Sequence, residues 1–181
     1  IKMCLNVLCL AVLVGCAGVQ PIAESGSGKF EFALIGDQQY TPESEAKFPN
    51  IMDDLDQSNL AFVVHVEDFK RGTDVCSDEI FMQRRVQFNA SKHPFIYTPG
   101  NNDWTDCYQS ITNSDPLERL AKIREIFFQG NSSLGQHSMV LSRQSDDAKY
   151  AKYRENARWT YGGVMFATVH LPGKNNNLGR S

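Results

Sequence analysis

The chain has 181 residues, of which 41% are hydrophobic and 22% are charged, and this composition is typical of a single globular domain. Its formal net charge of −3 excludes a general electrostatic attraction to nucleic acid or to anionic lipid. A phosphate-bearing ligand would therefore have to be held by a local device such as a metal ion. We expect no nucleic-acid partner, and the sequence leaves the oligomeric state open.

The N-terminal segment is typical of an export leader. The apolar stretch 5–14 has the length of a signal-peptide core, ~7–15 residues, and is shorter than the ~20 that span a bilayer. Residues 13–16 also resemble a bacterial lipobox, in which Cys16 would be acylated. A buried strand or helix is the alternative, because Lys2 is the only positive charge before the apolar stretch. We expect an exported protein that meets a membrane only through this leader or its lipid.

The predicted organisation is a leader at 1–23, a flexible linker at 24–29 and one domain at 30–181. The linker is predicted from its glycine and serine content. The only cysteines in the domain are Cys76 and Cys107. A disulfide between them is reasonable in an oxidising compartment, and two independent buried thiols are the alternative.

Strand and helix patterns alternate in the first half of this domain. Residues 30–35 alternate and then become apolar, which predicts a strand. The next apolar positions form one face of a helix: Phe48, Ile51, Met52 and Leu55. The run 60–66 is continuously apolar and rich in β-branched residues, as in parallel strands that are covered on both faces. A helix at about 77–88 and a short strand at 95–98 follow.

The second half carries one more helix and several strands. Ser114 is the predicted cap of this helix, and Pro116 lies in its first turn. A short strand is expected at 139–141, and a hairpin through two glycines joins 159–161 to 164–169. The order of the elements predicts an α/β layered fold whose first strands pair in parallel.

Polar residues follow three of the predicted strands. Gly36-Asp37 follows the first strand, Glu67-Asp68 the second, and Gly-Asn-Asn-Asp at 100–103 the third. These side chains should converge, because the carboxyl ends of parallel strands meet at one edge of a sheet. Crowded carboxylates repel each other unless a cation lies between them. The oxygen ligands that Asp37, Asp68 and Asn101 offer therefore predict a shared metal site.

This succession resembles the calcineurin-like metallophosphoesterases, whose pattern is Asp-x-His, Gly-Asp, Gly-Asn-His-Asp/Glu and later histidines. The resemblance covers residues 30–179. A secreted subgroup, in which Asp-Asn-Glu-Trp often replaces Asn-His-Asp, is similar in its wider setting, namely 65–72, 97–107 and 170–176. The resemblance implies a layered β-sandwich flanked by helices, of which this chain would be the N-terminal part, truncated before the later histidines.

The resemblance also implies roles for individual residues. Asp37 would bind the first of two divalent ions of the Fe, Mn or Zn type, Asp68 would bridge both ions, and Asn101 would bind the second. Gln39 takes the place of a histidine and would bind the first ion or lie just behind its ligands. Asn102 stands where a histidine acts on the leaving group. As an amide it can donate a hydrogen bond but cannot act as a general acid.

The implied activity is hydrolysis of a phosphoester substrate by metal-activated water. Because the later histidines are missing, we expect this chain alone to be inactive. A catalytically inactive binding protein of the same fold is the alternative, since Gln39, Asn102 and Glu67 depart from the family pattern. Glu67 stands in place of a glycine.

Further expectations concern residues near the same edge. The resemblance favours a Cys76–Cys107 disulfide, which would tie together the loops after the second and third strands. Lys70 and Arg71 could touch a phosphate, although solvated loop charges are the simpler interpretation. His170 is expected to be structural rather than a metal ligand.

Overall fold

A computed structural model of the protein describes residues 28–173. The predicted leader, its lipidation at Cys16 and most of the linker therefore lie outside the described residues. The elements in chain order are β1 Ala33–Gly36, α1 Pro42–Gln57, β2 Val63–Val66, α2 Asp78–Ala90, β3 Phe95–Thr98, a 3₁₀ helix Thr105–Gln109, α3 Pro116–Phe127, β4 Ser142–Arg143, 3₁₀ turns Gln144–Asp146 and Ala148–Tyr150, β5 Ala157–Tyr161 and β6 Val164–Thr168. The predicted α/β class is confirmed.

The strands form two three-stranded sheets, a parallel one in the order β1-β2-β3 and an antiparallel one in the order β4-β5-β6. In the parallel sheet, Gly36 lies opposite Val66, and Val66 lies opposite Thr98. The three strands therefore end level with one another. The polar residues that follow them leave the sheet at one edge, as predicted.

Each face of the parallel sheet is covered by a different layer. On the helical side, a largely aromatic core includes Phe88, which stacks on Phe95 with ring centroids 4.6 Å apart. On the other side, Phe62 meets Trp159 of the antiparallel sheet edge to face at 5.4 Å. Buried aromatic rings bring large apolar areas out of water and dominate the stability of such cores. This layering explains why β2 and β3 read as continuous apolar runs.

His65 lies on β2 within the helical-side core, where its ring contacts Phe88 and Phe95. Its side chain is fully buried. Burial, together with the positive charge of Arg84, lowers the pKa of His65 to about 3. The ring is therefore neutral at physiological pH and belongs to the core.

Two local predictions differ from the structure. Asp115, not Ser114, caps α3, since its Oδ1 accepts a hydrogen bond from the backbone N–H of Leu117 at 2.9 Å. A carboxylate at this position also gains from the positive end of the helix dipole. The strand predicted at 139–141 is only an isolated bridge at Val140, which is 80% exposed, and the paired strand β4 begins at Ser142.

Cys76 and Cys107 form a disulfide, with their Cα atoms 5.7 Å apart. The bond joins the loop after β2 to the 3₁₀ helix that follows β3, as the resemblance implied. Such a bond is compatible with an extracellular protein. Within residues 28–173, no helix combines the length and the apolar character that crossing a membrane requires.

Candidate functional site

The backbone is strained where β1 and β2 end. Asp37, Gln39, Glu67 and Asp68 have φ angles between 50° and 66°, in the left-handed region. Each such residue costs roughly 1–2 kcal/mol relative to an ordinary conformation. Four of the five non-glycine residues with positive φ in the described range lie here. Because strain of this kind clusters at functional sites, the edge is a candidate site.

Asp37 and Asp68 meet at the hydroxyl group of Tyr40. The Tyr40 Oη lies 2.7 Å from Asp37 Oδ1 and 3.0 Å from Asp68 Oδ2. The same oxygen accepts a hydrogen bond from Asn102 Nδ2 at 3.0 Å. The structure thus brings together two of the predicted metal ligands and the predicted catalytic amide. Whether they bind a metal stays a prediction.

Tyr40 is the site residue that sequence reasoning missed. It lies in the connection between β1 and α1, three residues after Asp37 and directly before the helix cap Thr41. A single phenol proton cannot serve two carboxylates at once. The hydroxyl of Tyr40 can therefore donate to only one of the two carboxylates at a time. The only sequence signal was the position of a tyrosine just beyond Gly-Asp.

Asp68 is the more enclosed of the two carboxylates, with 6% of its surface exposed. Its Oδ1 accepts a hydrogen bond from the backbone N–H of Asn102 at 3.0 Å. A Cβ atom at Gly100 would lie 2.2 Å from the same oxygen, so only glycine permits this approach. Burial raises the pKa of Asp68 to about 7, and the negative charge of Asp103 adds to the effect. A cation at this place would favour the ionised form.

Asp103 holds the ends of β2 and β3 together. Its fully buried carboxylate accepts hydrogen bonds from the backbone N–H groups of Asp68, Phe69 and Gly100, at 3.0, 2.9 and 2.8 Å, and from the Tyr97 hydroxyl at 2.8 Å. Burial raises the pKa of Asp103, and these hydrogen bonds oppose the rise. This carboxylate is a structural anchor beneath the site.

The expectation that the loop charges are solvated is wrong for Lys70. Its side chain is only 1% exposed, and its Nζ donates to the carbonyl oxygen of Arg71 at 3.0 Å. Burial lowers the pKa of Lys70, while the charges of Asp103 and Asp74 oppose that change. Arg71 does remain at the surface, where it pairs with Asp74 at 2.9 Å. The ammonium group of Lys70 is thus a buried charge that balances the acidic edge.

The amide nitrogen of Gln39 is hydrogen-bonded to helix side chains rather than to the two carboxylates. Its Nε2 donates to Glu45 Oε2 at 3.2 Å and to Gln87 Oε1 at 3.1 Å, on helices α1 and α2. Its Oε1 is buried and has no hydrogen-bond partner. An orphaned amide oxygen is a potential metal or ligand contact. In this conformation, however, Gln39 makes no hydrogen bond to Asp37 or Asp68.

Asn101 is held by its amide nitrogen. This Nδ2 donates to Asp106 Oδ2 at 2.7 Å and to Asn102 Oδ1 at 3.0 Å. The amide nitrogen is therefore fully occupied, and the side-chain oxygen is the atom that remains for a ligand.

His170 has both ring nitrogens engaged, in agreement with a structural role. Its Nε2 accepts a hydrogen bond from Trp104 Nε1 at 2.9 Å, and its Nδ1 lies 3.1 Å from Glu155 Oε1. Burial alone would raise the pKa of Glu155, but hydrogen bonds from His170 and Arg124 lower it to about 2. The ring is neither free nor oriented to bind a metal at the edge of the sheet.

The available donors at this edge are oxygen atoms: two carboxylates, an amide and a phenol. Hard divalent ions prefer such ligands, so the oxygen atoms of Asp37, Asp68 and Asn101 are of a type that suits ions of this class. Within the described part of the chain, no three His, Cys, Asp or Glu side chains form a group that could hold a metal. The two-ion centre with histidines that the resemblance implies is therefore not completed by residues 28–173.

Comparison of the chain with models of protein families, with curated proteins and with solved structures found no match in any of the three. The chemistry of the site therefore has to carry the functional conclusion.

Proposed function

We propose that the protein is an exported, metal-dependent phosphoester hydrolase of the calcineurin-like metallophosphoesterase type. One observation carries the proposal: Asp37 and Asp68, from the ends of adjacent parallel strands, reach the same Tyr40 hydroxyl. Active sites of parallel α/β sheets form at this edge. The two sheets packed face to face support the finer assignment of a β-sandwich flanked by helices, and the disulfide supports export.

The bound group would be a pair of divalent ions of the Fe, Mn or Zn type. Asp37, Asp68 and the side-chain oxygen of Asn101 would hold them, and the resemblance implies that histidines outside the described residues complete the set. When bound, such ions polarise a phosphate and lower the pKa of a water ligand. The amide of Asn102 would donate a hydrogen bond to a phosphate oxygen and stabilise charge that develops there.

The substrate would lie in a cleft of about 460 Å³ that opens beside Tyr40. Gln39, Lys70 and Arg84 also line this cleft. Glu45, which pairs with Arg84 at 2.7 Å, lines it as well, so the wall of the cleft carries amide, cationic and acidic groups. A phosphoester could place its phosphate at the edge of the sheet and its alcohol portion in the cleft.

A catalytically inactive binding protein is the second candidate. Asn102 and Gln39 cannot act as general acids, and the amide nitrogen of Gln39 is hydrogen-bonded to helix side chains rather than to Asp37 or Asp68. A protein of this kind would bind a cation and a phosphate group without turnover.

Titration with Mn²⁺ and hydrolysis of p-nitrophenyl phosphate, both with the protein expressed from its complete reading frame, test the proposal. We expect Mn²⁺ binding and turnover that are lost in Asp68→Asn and in Asp37→Asn but kept in Asp115→Asn, a matched change at the cap of α3. Binding without turnover would favour the binding protein. Wild-type protein that binds no Mn²⁺ would refute both candidates.

A further inference from the structure

A chain of hydrogen bonds runs from Asp106 to the candidate site. Asp106 Oδ2 accepts from Asn101 Nδ2 at 2.7 Å. The same nitrogen donates to Asn102 Oδ1 at 3.0 Å, and Asn102 Nδ2 donates to Tyr40 Oη at 3.0 Å. The Tyr40 hydroxyl then contacts both carboxylates of the site. Six side chains from three segments thus form one connected network.

The Asp106 carboxylate sets the direction of this chain. A carboxylate only accepts hydrogen bonds, so the Asn101 atom facing it must be the amide nitrogen. Both hydrogens of that nitrogen are then in use, and Asn102 must present its oxygen to Asn101. Asn102 therefore turns its nitrogen to Tyr40, whose own proton is left for a carboxylate. One acceptor orients two amides and one hydroxyl.

Asp106 is well anchored for this task. It is 7% exposed and lies in the 3₁₀ helix Thr105–Gln109, where its backbone N–H donates to the carbonyl oxygen of Asn101 at 3.1 Å. The next residue, Cys107, is held by the disulfide. A Cβ atom at Gly72 would lie only 2.9 Å from the Cβ of Asp106, so the neighbouring loop packs closely against it. The carboxylate has little room to move away.

We propose that Asp106 is a positioning residue that keeps the side-chain oxygen of Asn101, rather than its nitrogen, available to a divalent cation. This inference rests on the proposed function, in which Asn101 is a ligand. Without the carboxylate, both amides can rotate and present nitrogen to the cation. Removing such an outer partner typically weakens metal binding by ~10–100-fold.

The test compares Mn²⁺ affinity, by calorimetric titration, among wild type, Asp106→Ala and Gln109→Ala, since alanine removes the acceptor altogether. Gln109 is an exposed neighbour whose Nε2 touches the other oxygen of Asp106 at 3.3 Å, so its removal is the matched control. We expect the Asp106→Ala protein to bind Mn²⁺ ~10–100-fold more weakly and the Gln109→Ala protein to bind as wild type. Equal affinity in all three folded proteins would overturn the inference.

A second measurement needs no metal. In the NMR spectrum of metal-free wild type, both side-chain NH₂ protons of Asn101 should exchange slowly with water, because both are hydrogen-bonded. Fast exchange, as in a free amide, would overturn the inference. Absence of Mn²⁺ binding in wild type would refute the proposed function and with it the cation-directed role. Asp106 would then keep only its orienting role, which is supported if Asp106→Ala speeds that exchange and overturned if it does not.

Discussion

Asp103 offers the sharpest test of how the edge of the parallel sheet is held. Its carboxylate is fully buried and receives four hydrogen bonds. Replacing it with asparagine keeps the shape of the side chain but leaves one accepting oxygen, and replacing it with alanine leaves none. Both variants should destabilise the fold, by different and calculable amounts.

The magnitudes follow from how the four donors are divided. Three of them face Oδ2, and only the backbone N–H of Phe69 faces Oδ1. An asparagine oxygen at the Oδ2 position serves three donors, and its NH₂ group then meets the N–H of Phe69. One unsatisfied buried donor costs about 1–3 kcal/mol, which is the expected loss for Asp103→Asn. Asp103→Ala strands all four donors and should cost more than about 4 kcal/mol.

Urea denaturation measured by tryptophan fluorescence gives the required free energies of unfolding, since Trp104 and Trp159 are both buried. Asp115→Asn is the control, because asparagine and aspartate cap helices about equally well, and it should change stability by only a few tenths of a kcal/mol. The reasoning would be refuted if the free energy of unfolding of Asp103→Ala lay within about 1 kcal/mol of the wild-type value.

Three other perturbations probe the same region. Replacing both Cys76 and Cys107 by alanine should lower the free energy of unfolding by about 3–4 kcal/mol, because the bond closes a loop of 31 residues in the unfolded chain. A loss below about 1 kcal/mol would contradict this expectation. Burial raises the pKa of Asp68 from 3.8 to about 7, so its contribution to stability is complete below pH 3.8 and is lost as the pH rises towards 7. In metal-free protein, Asp68→Asn should therefore flatten the fall in unfolding free energy over that range, and parallel curves for the two proteins would argue against it. Glu67 has a φ of 50°, which glycine adopts without strain, so Glu67→Gly should be more stable than Glu67→Ala by about 1 kcal/mol. At most positions alanine is the more stabilising of these two residues. A more stable Glu67→Ala protein would show that no backbone strain is stored at this position.

Much of the fold was predictable because its causes are local. The continuous apolar runs of β2 and β3 identify them as strands that are buried on both faces, and the apolar stripe of α1 identifies it as a helix. Alternation of these elements was enough to predict parallel pairing, and parallel pairing was enough to predict that Asp37 and Asp68 leave at one edge. Where the local signal was weak, at the cap of α3 and at the strand near 140, the observed positions differ from the predicted ones by one to three residues.

Local pattern along the chain was sufficient to predict which strands end in polar residues and that those ends meet. The side chains that fill the space between these ends depend on the folded structure. The Tyr40 hydroxyl reaches Asn102 across 62 residues, the Gln39 amide turns to a partner 48 residues away, and Lys70 is buried rather than solvated. Periodicity records which face of an element is buried, and it carries no information about partners so distant along the chain. Those partners are selected by the packing of whole segments, which exists only in the folded molecule.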